Sequence, residues 1–174
     1  MRIHAIILLV GLTQGAFCEE KVAFAPQVVM HHLDELGSVT GWDFGLGARV
    51  LVPIRAFHIQ FSGNYYFIDT PEGFSYDWNL LDFNIDFAYS IADLPVQPYV
   101  GGGLNVSRFT APCQIEFCEP QSFETTDGSF AIVGGIRFPT NAEMMPFFEA
   151  RYIFKTRFDE FATDRLVLSA GVFF

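Results

Sequence analysis

The sequence contains no long uninterrupted apolar run. A helix that crosses a bilayer needs about 20 consecutive apolar residues, and no stretch of this chain comes close, although 51% of its 174 residues are hydrophobic. Charged residues are scarce, at 17% against about 25% in ordinary soluble domains. Basic residues are the scarcest, since 10 Lys and Arg face 20 Asp and Glu. These shortages exclude a helical membrane bundle and a disordered chain, and they argue against binding to nucleic acid, which requires a basic face.

The first residues have the anatomy of a secretory signal peptide. A basic start precedes the apolar stretch AIILLVGL, which is too short to span a bilayer, and small residues follow it. We therefore predict a cleaved signal peptide over residues 1–18, with cleavage after Ala16 or Cys18. The remaining residues, 19–174, show no linker and are expected to form one domain.

Export changes the expectation for the cysteines that remain. Cys113 and Cys118 lie close together in the segment APCQIEFCEP. In an oxidising compartment such a pair favours a disulfide. A metal site is the alternative, but two thiols without a nearby His are a weak signal for zinc. We predict no metal ion and no cofactor.

The main signal in the rest of the chain is an alternation of apolar and polar residues. Between Leu81 and Tyr89, every second residue is apolar or aromatic, and Asp82, Asn84 and Asp86 lie between them. A helix would place Asn84 on the apolar stripe, so the pattern favours a strand. Turn residues divide the chain into eight such segments, near 22–32, 41–53, 56–68, 79–91, 98–109, 129–139, 146–156 and 165–174. The first is the weakest because it contains Pro26, which cannot donate a hydrogen bond to a ladder.

The connections between these strands alternate between short and long, which is typical of an antiparallel up-and-down meander. Eight such strands close into a barrel, which removes both sheet edges. An eight-stranded barrel has little interior room, so the many Phe rings are expected to point outward, toward lipid. Aromatic residues near strand ends are candidates for interfacial girdles: Trp42, Tyr65, Tyr66, Trp78, Tyr99 and Tyr152. The predicted fold class is all-β, an eight-stranded transmembrane β-barrel; a soluble lipocalin-like barrel is the alternative.

The second face of the strands carries charges of both signs in equal number. Paired charges can occupy a narrow lumen, whereas an unpaired one would be costly. We predict a lumen charge network of Asp43, Arg49, Asp82, Asp86, Arg137, Glu149, Arg151 and Lys155.

The last strand carries the most specific pattern, an alternation of apolar residues that reaches the final Phe: Leu166, Leu168, Ala170, Val172 and Phe174. Combined with the signal peptide, this pattern resembles the small bacterial outer-membrane β-barrels of the OmpA/OmpX-like type over residues 20–174. The resemblance implies residence in the outer membrane, contact with its lipid and lipopolysaccharide, and a monomeric state. It also implies that the last strand is the signal read by the barrel assembly machinery.

The net negative charge is concentrated in the predicted long loops, 33–40, 69–78, 110–128 and 157–164. Their acids are Asp34, Glu35, Asp69, Glu72, Asp77, Glu116, Glu119, Glu124, Asp127, Asp159, Glu160 and Asp164, against Arg157 alone. Such loops would attract divalent cations or cationic partners, although exposed loops are also acidic simply for solubility.

Three functions are compatible with this pattern. The first is a non-enzymatic outer-membrane protein that serves membrane integrity, adhesion or partner binding through its acidic loops. The second is an enzyme that modifies lipid A, which would need a Ser activated by a His. His58 and Ser62 share a face but lie roughly 13 Å apart along a strand, and His31 and His32 lie beside the first loop, so we predict no catalytic residues. The third is a narrow pore.

A closed barrel should change the mobility of the protein in detergent gels. Unboiled protein should migrate differently from boiled protein, because the closed ladder resists unfolding by detergent alone. Identical mobility, together with circular dichroism that lacks a strand signature, would contradict the barrel prediction.

Overall fold

The structure is a computed structural model that describes residues 21–36, 39–68, 78–91, 95–113, 121–140, 144–158 and 161–174. The predicted signal peptide lies outside the described residues. The described chain forms eight strands: β1 (Ala23–Leu36), β2 (Val39–Ile54), β3 (Phe57–Ile68), β4 (Trp78–Ser90), β5 (Gln97–Cys113), β6 (Gln121–Arg137), β7 (Met145–Phe158) and β8 (Phe161–Phe173).

Each strand pairs antiparallel with its neighbour in the chain, and β8 pairs with β1 to close the barrel. This confirms the predicted fold class, an all-antiparallel up-and-down barrel of eight strands. We call the end with the short connections, such as Arg55–Ala56, the turn end, and the opposite end the loop end. No helix long and apolar enough to cross a membrane occurs in the part of the chain that the structure describes.

The strands extend further toward the loop end than the prediction gave them. Residues 37–38 separate β1 from β2, residues 114–120 separate β5 from β6, and residues 159–160 separate β7 from β8. The bounds predicted for the loops 33–40, 110–128 and 157–164 are therefore wrong. Ladder hydrogen bonds form between backbone groups whatever the side chains are. Apolar alternation therefore marks only the lipid-facing part of a strand, and it stops before the strand does.

The two faces of the strands are distributed as predicted. Along β3 the outward residues Phe57, Phe61, Tyr65 and Phe67 are exposed. Every even-numbered residue from His58 to Ile68 points inward and is buried. The outer surface is correspondingly apolar, with Phe44 66% and Phe130 72% exposed. An outward apolar belt around a buried polar lumen is the arrangement of a membrane barrel, and it excludes the lipocalin-like alternative, whose apolar face would point inward.

Pro26 lies inside β1, at the seam where the barrel closes. It pairs with Ala48 of β2, whereas the continuous pairing of β1 with β8 begins only at Gln27. Beyond this gap, Phe24 and Phe174 exchange two backbone hydrogen bonds of 3.2 and 2.8 Å. The missing donor of Pro26 is thus accommodated by a local interruption of one ladder.

Phe61→Arg should destabilise the barrel because it places a charge in the outward apolar belt. We expect the free energy of unfolding to fall by about 2–4 kcal/mol, measured by denaturant titration in lipid vesicles. Ser62→Ala, one residue further, changes a lumen side chain that accepts one hydrogen bond from Asn84, and it should cost much less. Equal costs would show that the two faces are wrongly assigned.

Candidate functional site

The middle of the lumen is crossed by a continuous chain of ion pairs. Arg49 of β2 donates two hydrogen bonds to Glu149 of β7, at 2.5 Å from Nη1 to Oε2 and 2.7 Å from Nη2 to Oε1. Arg151 donates to the same carboxylate over 3.3 Å. It also pairs with Asp86 of β4 through both of its terminal nitrogens, Nη1 and Nη2. All four side chains are at most 2% exposed. The bonds therefore tie opposite walls of the barrel together.

Neutral groups complete this chain of ion pairs. Tyr99 donates its hydroxyl hydrogen to Glu149 over 2.7 Å, and Arg49 also donates to Gln60 and Ser169. Buried charges are tolerated only when their hydrogen-bonding capacity is used. Glu149 meets this condition, because it accepts from Arg49, Arg151 and Tyr99.

A second group of charges lies nearer the loop end. Arg165 of β8 donates to Asp82 of β4 at 3.1 and 3.2 Å, and to Ser107 at 2.6 Å and Asn105 at 3.1 Å. Arg165 was not among the predicted lumen residues, because it opens the last predicted strand directly after an acidic segment. Its position two residues before the inward Val167 was the signal that could have identified it.

Of the predicted lumen network, Asp43, Arg49, Asp82, Asp86, Arg137, Glu149 and Arg151 are all buried. The side chain of Lys155 lies outside the described residues. Asp43 lies 3.2 Å from Nε2 of His31, whose ring stacks on Tyr66 at 4.4 Å between centroids.

The two adjacent histidines lie on opposite faces of β1 rather than beside a loop. His31 is fully buried, whereas the Nδ1 atom of His32 lies 2.9 Å from the carbonyl oxygen of Gly41, and its ring stacks on Trp42 outside the barrel. The alternation of a strand separates neighbours in this way. They do not form a joint site.

His58 and Arg137 form a third polar group, at the turn end. One nitrogen of Arg137, Nη2, lies 3.0 Å from Nδ1 and 2.5 Å from Nε2 of His58. The His58 ring also contacts Gln60 at 2.7 Å and Ser90 at 3.2 Å. Ser62, the serine considered with His58 from the sequence, instead contacts Asn84.

Apolar side chains close the lumen around these polar groups. One cluster at the loop end contains Tyr66, Leu80 and Phe109, with Trp78 packed against it. Another at the turn end contains Leu51, Phe147 and Phe173. The girdle prediction is therefore wrong for Tyr66 and Tyr99, which are 0% and 4% exposed inside the barrel. Both tyrosines stand an even number of residues from the inward polar side chains of their strands. This position in the alternation, rather than the residue type, decides that they point inward. Trp42, Tyr65 and Tyr152 do face outward.

Glycine makes room for this network where strands approach closely. A Cβ at Gly103 would collide with the backbone of Ile85 and with a carboxylate oxygen of Asp86. A Cβ at Gly47 would collide with the side chain of Asn64. Both glycines face the lumen, so the placement of Asp86 and of Asn64 depends on positions that carry no side chain.

Several of the predicted loop acids belong to strands. Asp34 and Glu35 lie in β1, Glu124 and Asp127 in β6, and Asp164 in β8, because the ladders continue beyond the apolar belt. Glu124 pairs with Arg108 over 2.6 Å, and Asp164 accepts a hydrogen bond from Tyr152 over 2.7 Å. Outside the described residues lie Asp69, Glu72, Asp77, Glu116, Glu119, Asp159, Glu160 and Cys118.

Two further site predictions stay open. Cys113 ends β5, but its side chain and Cys118 are not described, so the disulfide remains a prediction. Leu166, Leu168, Ala170, Val172 and Phe174 alternate with the buried residues of β8, and their role in assembly remains a prediction. Within the described ranges, no three His, Cys, Asp or Glu side chains are placed to hold a metal ion.

Comparison with known proteins identifies the fold. No family model and no curated protein matches the sequence. Among solved structures, Neisserial surface protein A is similar at a TM-score of 0.67 and 16% identity, covering 87% of this chain and 95% of that one. Ail of Yersinia pestis, in complex with the heparin analogue sucrose octasulfate, is similar at 0.61 and 13%, with 88% and 97% covered. A major outer membrane protein of Thermus thermophilus is similar at 0.60 and 12%, with 88% and 98% covered.

The fold of this chain is that of the small eight-stranded outer-membrane β-barrels. Together with the apolar outer belt, this fold identifies the protein as a membrane-spanning β-barrel. At these identities the likeness concerns the fold, so the function must be argued from the residues of this chain.

Glu149→Gln should be strongly destabilising, because it leaves Arg49 and Arg151 buried without their shared carboxylate. We expect a loss of about 3–5 kcal/mol in the free energy of unfolding, measured by denaturant titration in vesicles. Glu124→Gln is the matched control. It removes the same charge from a half-exposed pair with Arg108 and should cost at most about 1 kcal/mol. Similar losses would contradict the structural role of the lumen network.

Proposed function

We propose that this protein is a non-enzymatic surface barrel that binds an extended, basic polypeptide at its loop end. The observation that carries the proposal is a free strand edge on β6. The pairing of β6 with β7 ends at Phe130 and Phe154, whereas the pairing of β6 with β5 continues to Gln121. Among the described strands, Glu124, Thr126 and Gly128 of β6 therefore have no paired residue on β7.

The backbone groups on this free edge can be assigned by alternation. Phe138 donates its amide hydrogen to the carbonyl oxygen of Pro146, so the even-numbered residues of β6 are those that bond toward β7. Bonding direction alternates along a strand. The N–H and C=O groups of Glu124, Thr126 and Gly128 therefore point away from β5, and these three residues are exposed.

An unpaired edge of this kind is a template for strand addition. Backbone hydrogen bonds would supply affinity, and side chains beside the edge would supply selectivity. Glu124 and Asp127 of β6 and Asp164 of β8 lie at this end of the barrel, and their negative charge favours a partner rich in Lys or Arg. Ail was crystallised with a heparin analogue, a polyanion; the acids of this chain disfavour a ligand of that charge.

The contacts of His58, the histidine considered with a serine, support a non-enzymatic role. A hydrolase of the Ser–His type needs an acid that orients the His. The described contacts of His58 are Gln60, Ser90, Tyr99 and Arg137, and no carboxylate is among them. Mass spectrometry of lipid A should give the same profile from cells with and without the protein; a changed profile would favour the enzyme instead.

Thr126→Pro tests the free edge directly. Proline removes one outward N–H, which edge strands tolerate, and leaves the bonds to β5 intact. A short peptide of alternating Lys and Val should bind the wild-type protein in nanodiscs saturably. Thr126→Pro should weaken that binding about threefold to tenfold, the loss of one hydrogen bond, measured by calorimetry.

Thr126→Val is the matched control, because it changes the side chain and keeps the N–H. It should bind like the wild type. As a test that needs no variant, a peptide N-methylated at alternate amides should lose binding to the wild-type protein. Equal binding by the valine and proline variants, or by both peptides, would refute strand addition.

A further inference from the structure

Arg137 differs from the other buried arginines in its partners. Arg49, Arg151 and Arg165 each contact a carboxylate. Arg137 is only 5% exposed, and its contacts among the described residues are the ring nitrogens of His58 and the ring of Tyr99, 4.5 Å from the guanidinium carbon. Within the same residues, its buried Nε atom has no hydrogen-bond partner, as is also true of the Nε atom of Arg49. An arginine is always charged, so Arg137 is a buried cation. Its neighbour His58 carries no negative charge that could balance it.

The two carboxylates in the middle of the lumen, those of Glu149 and Asp86, already have partners. Glu149 accepts hydrogen bonds from Arg49, Arg151 and Tyr99, and Asp86 is bound by Arg151. Among the described side chains, the middle and turn end of the lumen thus carry three arginines against two acids. Leaving a buried charge without a counterion costs several kcal/mol, so an additional anion would be strongly stabilised there.

Arg137 lies at the turn end of the lumen, beside the mouth of the barrel. Arg137 is the last residue of β6, and Ser90 is the last residue of β4. Both side chains point inward and are nearly buried, with Arg137 5% and Ser90 8% exposed. The opposite arc of the mouth is apolar and consists of Leu51, Phe147 and Phe173. In outer-membrane barrels the short turns face the periplasm.

We propose that Arg137 and Ser90 form an oxyanion-binding site at the periplasmic mouth of the barrel, beside His58. The ligand class is a carboxylate or a phosphate group, because the guanidinium fork matches two oxygens of such a group. The Ser90 hydroxyl supplies a further donor. This site is at the opposite end of the barrel from the free edge of β6 and does not depend on the proposed partner.

The test follows the Nε–H resonance of Arg137 by NMR in nanodiscs, assigned by its loss in Arg137→Gln. Sodium phosphate and sodium acetate are titrated separately against sodium chloride at constant ionic strength. The resonance should shift saturably with phosphate, acetate or both, and the arm that saturates at lower concentration identifies the preferred group. The Arg165 resonance, from a carboxylate-paired arginine, should not move. A linear shift, or equal shifts at both arginines, would overturn the proposal.

Two serine variants provide a matched comparison. Ser90→Ala should weaken the apparent affinity for the anion, measured from the saturable shift of Arg137, about threefold to tenfold, as expected for one lost hydrogen bond. Ser107→Ala removes a buried hydroxyl at the loop end, where it contacts Asp82 and Arg165, and should leave anion binding unchanged. Equal effects of the two variants would refute the assignment of Ser90.

A carboxylate from the chain itself is the competing occupant. The turns after β4 and β6 contain Asp93 and Glu143 in the sequence. If either one neutralises Arg137, the double variant Asp93→Asn/Glu143→Gln should move the Arg137 resonance before any anion is added, and this would overturn the proposal. An unmoved resonance that still responds to phosphate or acetate would support it.

Discussion

The narrowness of an eight-stranded barrel is the constraint on which the rest of this structure depends. Every inward side chain shares one lumen, so an inward charge must find its partner within that lumen or remain uncompensated. The chain Arg49–Glu149–Arg151–Asp86 satisfies the constraint by linking β2, β7 and β4. Gly103 supplies the space that Asp86 needs. The outer surface is then free to be almost entirely apolar.

The sequence was sufficient for the fold because two periodic signals agreed. Apolar alternation set the faces of the strands, and the alternation of short and long connections set the order in which they pair. Most of the lumen charges could be found by the same parity. Arg165 was missed because it stands where the apolar pattern fades, and Tyr66 and Tyr99 were misplaced because residue type was given more weight than parity.

The strand ends could not be predicted, since no side-chain pattern records them. Beyond the lipid, pairing depends on the backbone, and either face of a strand can be polar. β7 shows how local geometry decides the outcome. Its register with β8 shifts between Ile153 and Thr156, at the level where its pairing with β6 ends. A bulge bends a strand and changes its twist, and the register shift of β7 coincides with the point where β6 and β7 separate.

The point where β6 and β7 separate also indicates how far the hydrocarbon layer of the membrane extends along the barrel. Hydrocarbon cannot solvate an open row of amide and carbonyl groups, so a strand edge has to begin in water or among headgroups. On this side of the barrel, the hydrocarbon layer must therefore end at the level of Phe130 and Phe154 or nearer to the turn end. The structure thus records the upper limit of its surrounding lipid without containing a lipid molecule, and it does so through a backbone feature that outward side chains alone would not reveal.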